Sequence, residues 1–126
     1  MGKILIVDDS ALERELLMEI LHGSAIQNEC LHASNGDEAI EILGRNYKDI
    51  CLILLDWQMP EMSGLEFMEG VLKVPAVAKI PIVMVTASGT EDNKKKVKSI
   101  NPNIAGYIIK PYEPTILVET IKPFLN

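Results

Sequence analysis

Apolar residues run unbroken through Ile50-Cys51-Leu52-Ile53-Leu54-Leu55 and stop at Asp56. Consecutive apolar positions, not alternating ones, mean burial on both faces, which is how a central strand of a parallel sheet reads. So short a run could also belong to a buried helix. Its length, the Pro60 and Gly64 that follow, and similar runs elsewhere favour a strand. Lys3–Val7 is another such run and ends at Asp8-Asp9-Ser10. Residues 80–86 form a third, ending on Thr86, with Pro81 near the start where a strand tolerates it. Gly106–Ile109 is a fourth and is followed at once by Lys110-Pro111. Residues 27–33 are a weaker candidate, with Cys30, Leu31 and Ala33 as the apolar members.

Helical spacing fills the gaps. Leu12, Leu16, Leu17, Ile20 and Leu21 recur with Glu13, Arg14, Glu15 and Glu19 between them. Ser10 or Asp9 can cap this helix and Gly23 can stop it. Asn35-Gly36 is turn chemistry, and a second helix follows over residues 37–44 with Ala39, Ile40 and Leu43 on one face. Gly64 opens a third, carrying Leu65, Phe67, Met68, Val71 and Leu72. A strongly charged fourth covers residues 91–99 and is broken by Asn101-Pro102-Asn103. The fifth starts near Pro114, buries Leu117, Val118 and Ile121, and is ended or bent by Pro123. Five strand–helix units in alternation predict an α/β fold: a parallel sheet, helices on both faces, right-handed crossovers. Residues 1–126 read as one domain, with no linker or repeat.

Composition narrows the function. Hydrophobic residues make up 48% and charged residues 24%, an ordinary globular balance. A net charge of −6 argues against nonspecific nucleic-acid binding. No apolar run reaches the length of a membrane span. The N-terminus meets Asp8-Asp9 too soon for a signal peptide, and Ile6 removes the myristoylation context of Gly2. Cys30 and Cys51 lack metal-ligand spacing and read as buried thiols in a reducing, cytoplasmic compartment.

Strands of a parallel sheet all point the same way. Four strand ends therefore bring Asp8-Asp9, Asp56, Thr86 and Lys110 to one edge, where open α/β sheets bind ligands. Each alone reads as a turn or a cap. Together they read as a site. Three neighbouring carboxylates repel one another and call for a cation or shifted pKa values. Mg²⁺, a hard ion that keeps open water positions, fits. Metal, ammonium and hydroxyl together suit the equatorial oxygens of a transferring phosphoryl group. A carboxylate can be the nucleophile, and Asp56, at the end of the central strand, is the candidate.

At these residues the sequence resembles the receiver domain of two-component response regulators, over nearly the whole chain. The resemblance rests on Val7-Asp8-Asp9-Ser10, on Leu55-Asp56 with Met59-Pro60 and Ser63-Gly64-Leu65, on Val85-Thr86-Ala87, and on Gly106-Tyr107 with Lys110-Pro111-Tyr112. It implies a flavodoxin-like three-layer sandwich with a five-stranded sheet in the order 2-1-3-4-5. It implies Asp56 as phosphoacceptor, and Mg²⁺ held by Asp9, Asp56 and the backbone carbonyl of Gln58, with Asp8 acting mainly through water. Thr86 would hydrogen-bond the phosphoryl group and Lys110 would pair with it across a cis Lys110-Pro111 bond. Tyr107 would swing inward as Thr86 moves, altering the surface of the fourth helix, the fifth strand and the fifth helix. Gln58 and Ser88 occupy positions that tune acyl-phosphate lifetime. The donor would be a sensor histidine kinase or a phosphotransfer protein, and a downstream protein would read the altered surface. The protein would not be an enzyme beyond assisting its own phosphorylation and dephosphorylation. No output domain follows residue 126, so the chain reads as a stand-alone, chemotaxis-regulator-like receiver or as part of a longer one.

The sequence departs from the family pattern on the expected output face. The segment from Glu91 to Asn103 is slightly longer than usual, and Asn101-Pro102-Asn103 stands where a small-residue turn is common. Lys94, Lys95, Lys96 and Lys98 read first as a solvated helix face, and second as a contact for an acidic partner. His22 and His32 have no metal-ligand company. Met59 and Met62 read as loop or core filler, and Trp57, the only tryptophan, as a half-exposed reporter. Two other functions compete. A non-switching interaction module would be free to lose one of Asp8, Asp9, Asp56, Thr86 and Lys110, and all are intact. An Mg²⁺-dependent phosphohydrolase with an Asp nucleophile would place a D-x-D pair after the first strand, whereas Asp8 and Asp9 are adjacent. A flavin-binding protein of this fold would want a Ser/Thr/Gly-rich phosphate loop there, and Asp8-Asp9 would repel the phosphate.

Overall fold

A computed structural model describes residues 1–125. The strands are β1 (Lys3–Val7), β2 (Cys30–Ala33), β3 (Ile50–Leu55), β4 (Ile82–Thr86) and β5 (Gly106–Ile109). They form one parallel sheet in the order β2-β1-β3-β4-β5. The helices are α1 (Ala11–Gly23), α2 (Gly36–Asn46), α3 (Gly64–Leu72), α4 (Pro75–Ala78), α5 (Glu91–Ile100) and α6 (Pro114–Ile121), and a 3₁₀ turn, Lys122–Phe124, follows α6. This is the flavodoxin-like sandwich, with one short helix more than the sequence predicts. α4 is four residues long, too short to show a period; Pro75 opens it.

The unbroken apolar runs feed two cores, because successive strand side chains point to opposite faces. Leu5 and Val7 of β1 and Ile53 and Leu55 of β3 join Phe67, Met68 and Val71 of α3 on one face. Ile4, Ile6, Leu52 and Leu54 join Leu17, Leu21, Leu117 and Ile121 on the other. Thus α1 and α6 cover one face, and α2, α3, α4 and α5 the other. The weak strand signal over 27–33 has its reason here. β2 is an edge strand and only Ala33 of its four residues is fully buried. Pro81 lies just outside β4, where it lacks an N–H but its carbonyl still accepts from Ile53 N at 2.9 Å.

Five apolar residues need correction. Leu12 and Leu16 are exposed, not part of the buried stripe of α1. At roughly 100° per residue, Leu12 stands roughly 140–180° from Leu17 and Leu21, and Leu16 roughly 100–140° from them. Ile40 is also exposed, while Ala39 and Leu43 are buried. Cys30 and Cys51 are only half-buried. Burial, aided by the charge of Glu29, pushes the Cys30 thiol up to about 11.

Ser63 fixes the start of α3. Its hydroxyl accepts from Glu66 N at 3.2 Å, while Glu66 Oε1 accepts from Ser63 N at 3.3 Å, a reciprocal capping box. Ser63→Ala removes the cap and should cost about 1 kcal/mol. Thermal melting should show a drop of roughly 4 °C. An unchanged melting temperature would mean that core packing alone holds α3.

Candidate functional site

Register brings the polar strand ends together. Val7 lies beside both Leu55 and Ala33, Leu55 beside Met84, and Thr86 beside Ile109. The backbone continues this pairing past the strands: Asp8 N donates to Ala33 O at 3.0 Å, Asp56 N to Val7 O at 3.0 Å, and Lys110 N to Thr86 O at 2.9 Å. Asp8, Asp56 and Thr86 are buried, at 3%, 8% and 1% exposure. Asp9 is exposed. Carboxylate oxygens of Asp8, Asp9 and Asp56 lie within 4.8 Å of one another.

The Lys110 ammonium sits among the acids. It donates to Asp8 Oδ2 at 2.7 Å and lies 3.7 Å from Asp56 Oδ2 and 3.8 Å from Glu13 Oε2. Burial alone would lower its pKa. The hydrogen bond to Asp8 and the charges of Asp56, Asp8 and Glu13 outweigh burial and raise it. Burial dominates at Asp56 and raises its carboxyl above the ordinary range. The Thr86 hydroxyl and the Lys110 charge oppose this, Asp8 adds to it, and the Trp57 N–H opposes it weakly. The peptide bond between Lys110 and Pro111 is cis.

A chain of contacts leads away from Asp56. The Thr86 hydroxyl holds the Asp56 carboxyl down against burial and accepts from Ser88 N at 3.3 Å. The Ser88 carbonyl accepts from the hydroxyl of half-buried Tyr107. Gln58 is exposed and lines an open depression with Asp9, Trp57, Met59, Pro60 and Ser63. Asp8, Asp9, Asp56, Gln58, Thr86, Ser88 and Lys110 therefore gather at this edge of the sheet, with Tyr107 one contact beyond Ser88.

Sequence reasoning gave three neighbours no role in the site. Glu13 and Arg14 were only the polar face of α1. Arg14 Nη1 in fact donates to Asp8 O at 2.5 Å, and Glu13 faces Lys110. Tyr112 follows the Lys-Pro pair and has a buried hydroxyl with no partner. The first-turn position of Glu13, next to the acidic pair, was the one available signal.

Gly64 lets the site loop close. Its N–H donates to Trp57 O at 2.8 Å. A Cβ there would overlap the Asp56 carbonyl oxygen and come within 3.0 Å of Trp57 Cα. Both are backbone atoms and cannot swing aside. Gly64→Ala should cost about 2 kcal/mol through this overlap. Denaturant unfolding should show a lower midpoint; an unchanged midpoint would mean that the loop yields freely.

The comparisons decide the family. The model of the response regulator receiver domain matches residues 4–122. The chain belongs to this family. It is 38% identical over 123 residues to the phosphate regulon transcriptional regulatory protein PhoB of Pseudomonas aeruginosa, covering 98% of this chain and 51% of that protein. It is 32% identical over 124 residues to a chemotaxis protein CheY homolog of Campylobacter jejuni, covering 98% and 92%. The receiver thus spans about half of the first and nearly all of the second. The structure of Vibrio cholerae chemotaxis protein CheY4 superposes with a TM-score of 0.86 at 29% identity, covering 99% of both chains. Receivers are signalling modules of two-component systems, so the fold and family expected from the sequence stand. No helix among the described residues is long and apolar enough to cross a membrane.

Proposed function

We propose that this receiver accepts a phosphoryl group on Asp56 from a phosphohistidine donor, a sensor kinase or phosphotransfer protein, and so switches its affinity for a downstream protein. The observation that supports it best is one buried carboxylate with an ammonium at 3.7 Å and two further acids within 4.8 Å. One oxygen of Asp56 attacks phosphorus, a P–O bond forms, and the P–N bond to the donor imidazole breaks. The imidazole leaves with the bonding pair. Lys110 supplies charge to the phosphoryl oxygens and Thr86 a hydrogen bond. The acidic cluster suits Mg²⁺, since its donors are hard oxygens gathered within 4.8 Å. Asp8, Asp9, Asp56 and the Gln58 carbonyl would hold the ion, which supplies positive charge to the transferring group.

The output follows the contact chain. When Thr86 turns toward a phosphoryl group, its bond from Ser88 N is the one disturbed, and the Tyr107 hydroxyl rests on the Ser88 carbonyl. A change at Asp56 would thus reach Tyr107 and the α5–β5–α6 face. Phosphorylation biases an existing two-state equilibrium there. Lys95, Lys96 and Lys98 are exposed on α5, and Lys94 pairs with Glu91 at 3.6 Å. They suit an acidic partner. Gln58 and Ser88 would set the lifetime of the acyl phosphate. Residues 1–126 act as one receiver domain, and the setting is cytoplasmic.

Trp57 packs against the core beside the site and reports on it. Its fluorescence should respond to Mg²⁺, and again to acetyl phosphate once Mg²⁺ is present. An Mg²⁺ response with no donor response and no mass gain would leave a metal-binding receiver that small donors do not modify. No response to either, in folded protein, would sink the site assignment.

A further inference from the structure

Lys110 has more acidic neighbours than the receiver reading uses. Asp8 and Asp56 belong to the site. Glu13 does not: it comes from the first turn of α1, and its carboxylate lies 3.8 Å from the ammonium, against 3.7 Å for Asp56. Two carboxylates thus stand nearly equidistant from one cation that Asp8 already binds at 2.7 Å. The lysine side chain is 16% exposed and that of Glu13 35%, so water screens the Glu13 contact only in part. Glu13 is also held in place. Its backbone N–H donates to the Ser10 hydroxyl at 3.2 Å, which locks the first turn of α1 beside the acidic pair. Glu13, Lys110 and Tyr112 share one groove with Leu16, Ile20 and Pro111.

We propose that Glu13 is a positioning residue that retains the Lys110 ammonium in the unphosphorylated receiver and so slows phosphoryl uptake at Asp56. The inference rests on the receiver reading. For Lys110 to serve a phosphoryl group on Asp56, its charge must be released from the carboxylates that share it. Asp8 can exchange the ammonium for a metal ion held by the same cluster. Glu13 lies outside that cluster and has no such exchange among the described residues. Its pull on Lys110 therefore persists while the phosphoryl group arrives. An uncharged side chain of the same shape should let the ammonium go.

The test compares wild type, Glu13→Gln, Lys110→Met and the double variant. Each is incubated with Mg²⁺ and acetyl phosphate, and phosphoryl uptake is followed by intact mass. Glu13→Gln keeps the backbone cap, and thermal melting checks that it folds. It should take up phosphoryl groups about two- to fivefold faster than wild type, the range a partly exposed ion pair supports. In the Lys110→Met background the same substitution should change nothing. Equal or slower uptake by Glu13→Gln overturns the inference and leaves the receiver reading intact. A gain that persists without Lys110 also overturns it, because Glu13 would then merely repel the anionic donor. If wild type itself takes up no phosphoryl group, Asp56 does not accept one from a small donor and the inference, which rests on that uptake, falls with it.

Discussion

Asp56→Asn should take up no phosphoryl group under conditions that modify the wild-type receiver, while keeping its fold. The amide fills the space of the carboxylate but lacks its nucleophilic oxygen. The other acids do not replace it. Asp8 is committed to Lys110 at 2.7 Å and to Ser10 N at 2.9 Å, and Asp9 is exposed to water. The same variant should be more stable than wild type at pH 7 without Mg²⁺. Burial raises the Asp56 carboxyl above its ordinary value, against the Thr86 hydroxyl and Lys110, with Asp8 adding to the rise. A group raised on folding contributes fully below its unfolded pKa and loses that contribution as pH rises through the folded pKa. At neutral pH wild type has lost it; asparagine never carried the charge. The gap in melting temperature should therefore close as pH falls from neutrality through the acidic range where carboxyls titrate. A gap that widens toward acid would show that the Lys110 and Thr86 contacts outweigh burial.

Lys110→Met should lose both stability and rate. Methionine keeps the aliphatic stem and removes the charge. It leaves Asp8 buried without its 2.7 Å partner and Asp56 facing two acids alone. Breaking a buried pair on one side costs on the order of 3 kcal/mol. Added Mg²⁺ should restore part of that, because a second cation reaches the same carboxylates. It should not restore the rate. Losing one aimed electrostatic group slows a charge-developing step by roughly 100-fold. Lys110→Arg should recover little, since a planar fork does not replace a point charge among three acids. Melting with and without Mg²⁺ separates the two losses. A variant that matches wild-type uptake would remove Lys110 from the site.

Most of the architecture was legible because the sheet is parallel and covered on both faces. β1, β3 and β4 are buried at every apolar residue but half-buried Cys51, so their sequence needs no alternation and stands out. The site was legible for the same reason. Strand direction alone sends Asp8, Asp56, Thr86 and Lys110 to one edge, before any contact is known. Edge strand β2 was blurred by its half-exposed residues. α4 was invisible at four residues. The stripe of α1 was drawn too wide because apolar character alone does not distinguish Leu17, in the core, from Leu12, 77% exposed. Glu13 and Arg14 were hidden by their ordinariness. Acidic and basic residues on a helix face are the default surface, and only tertiary packing reveals that two of them turn to Asp8 and Lys110.

The central claim is that Asp56 carries the phosphoryl group. The most direct measurement is a peptide map of the wild-type receiver after incubation with Mg²⁺ and acetyl phosphate, with the acyl phosphate trapped before digestion. One phosphoryl group on the peptide ending the central strand, assigned to Asp56 and absent when Mg²⁺ is withheld, is the predicted result. Modification at Asp8, Asp9 or Ser10 instead, or an Asp56 adduct that forms equally well without the metal, would contradict it.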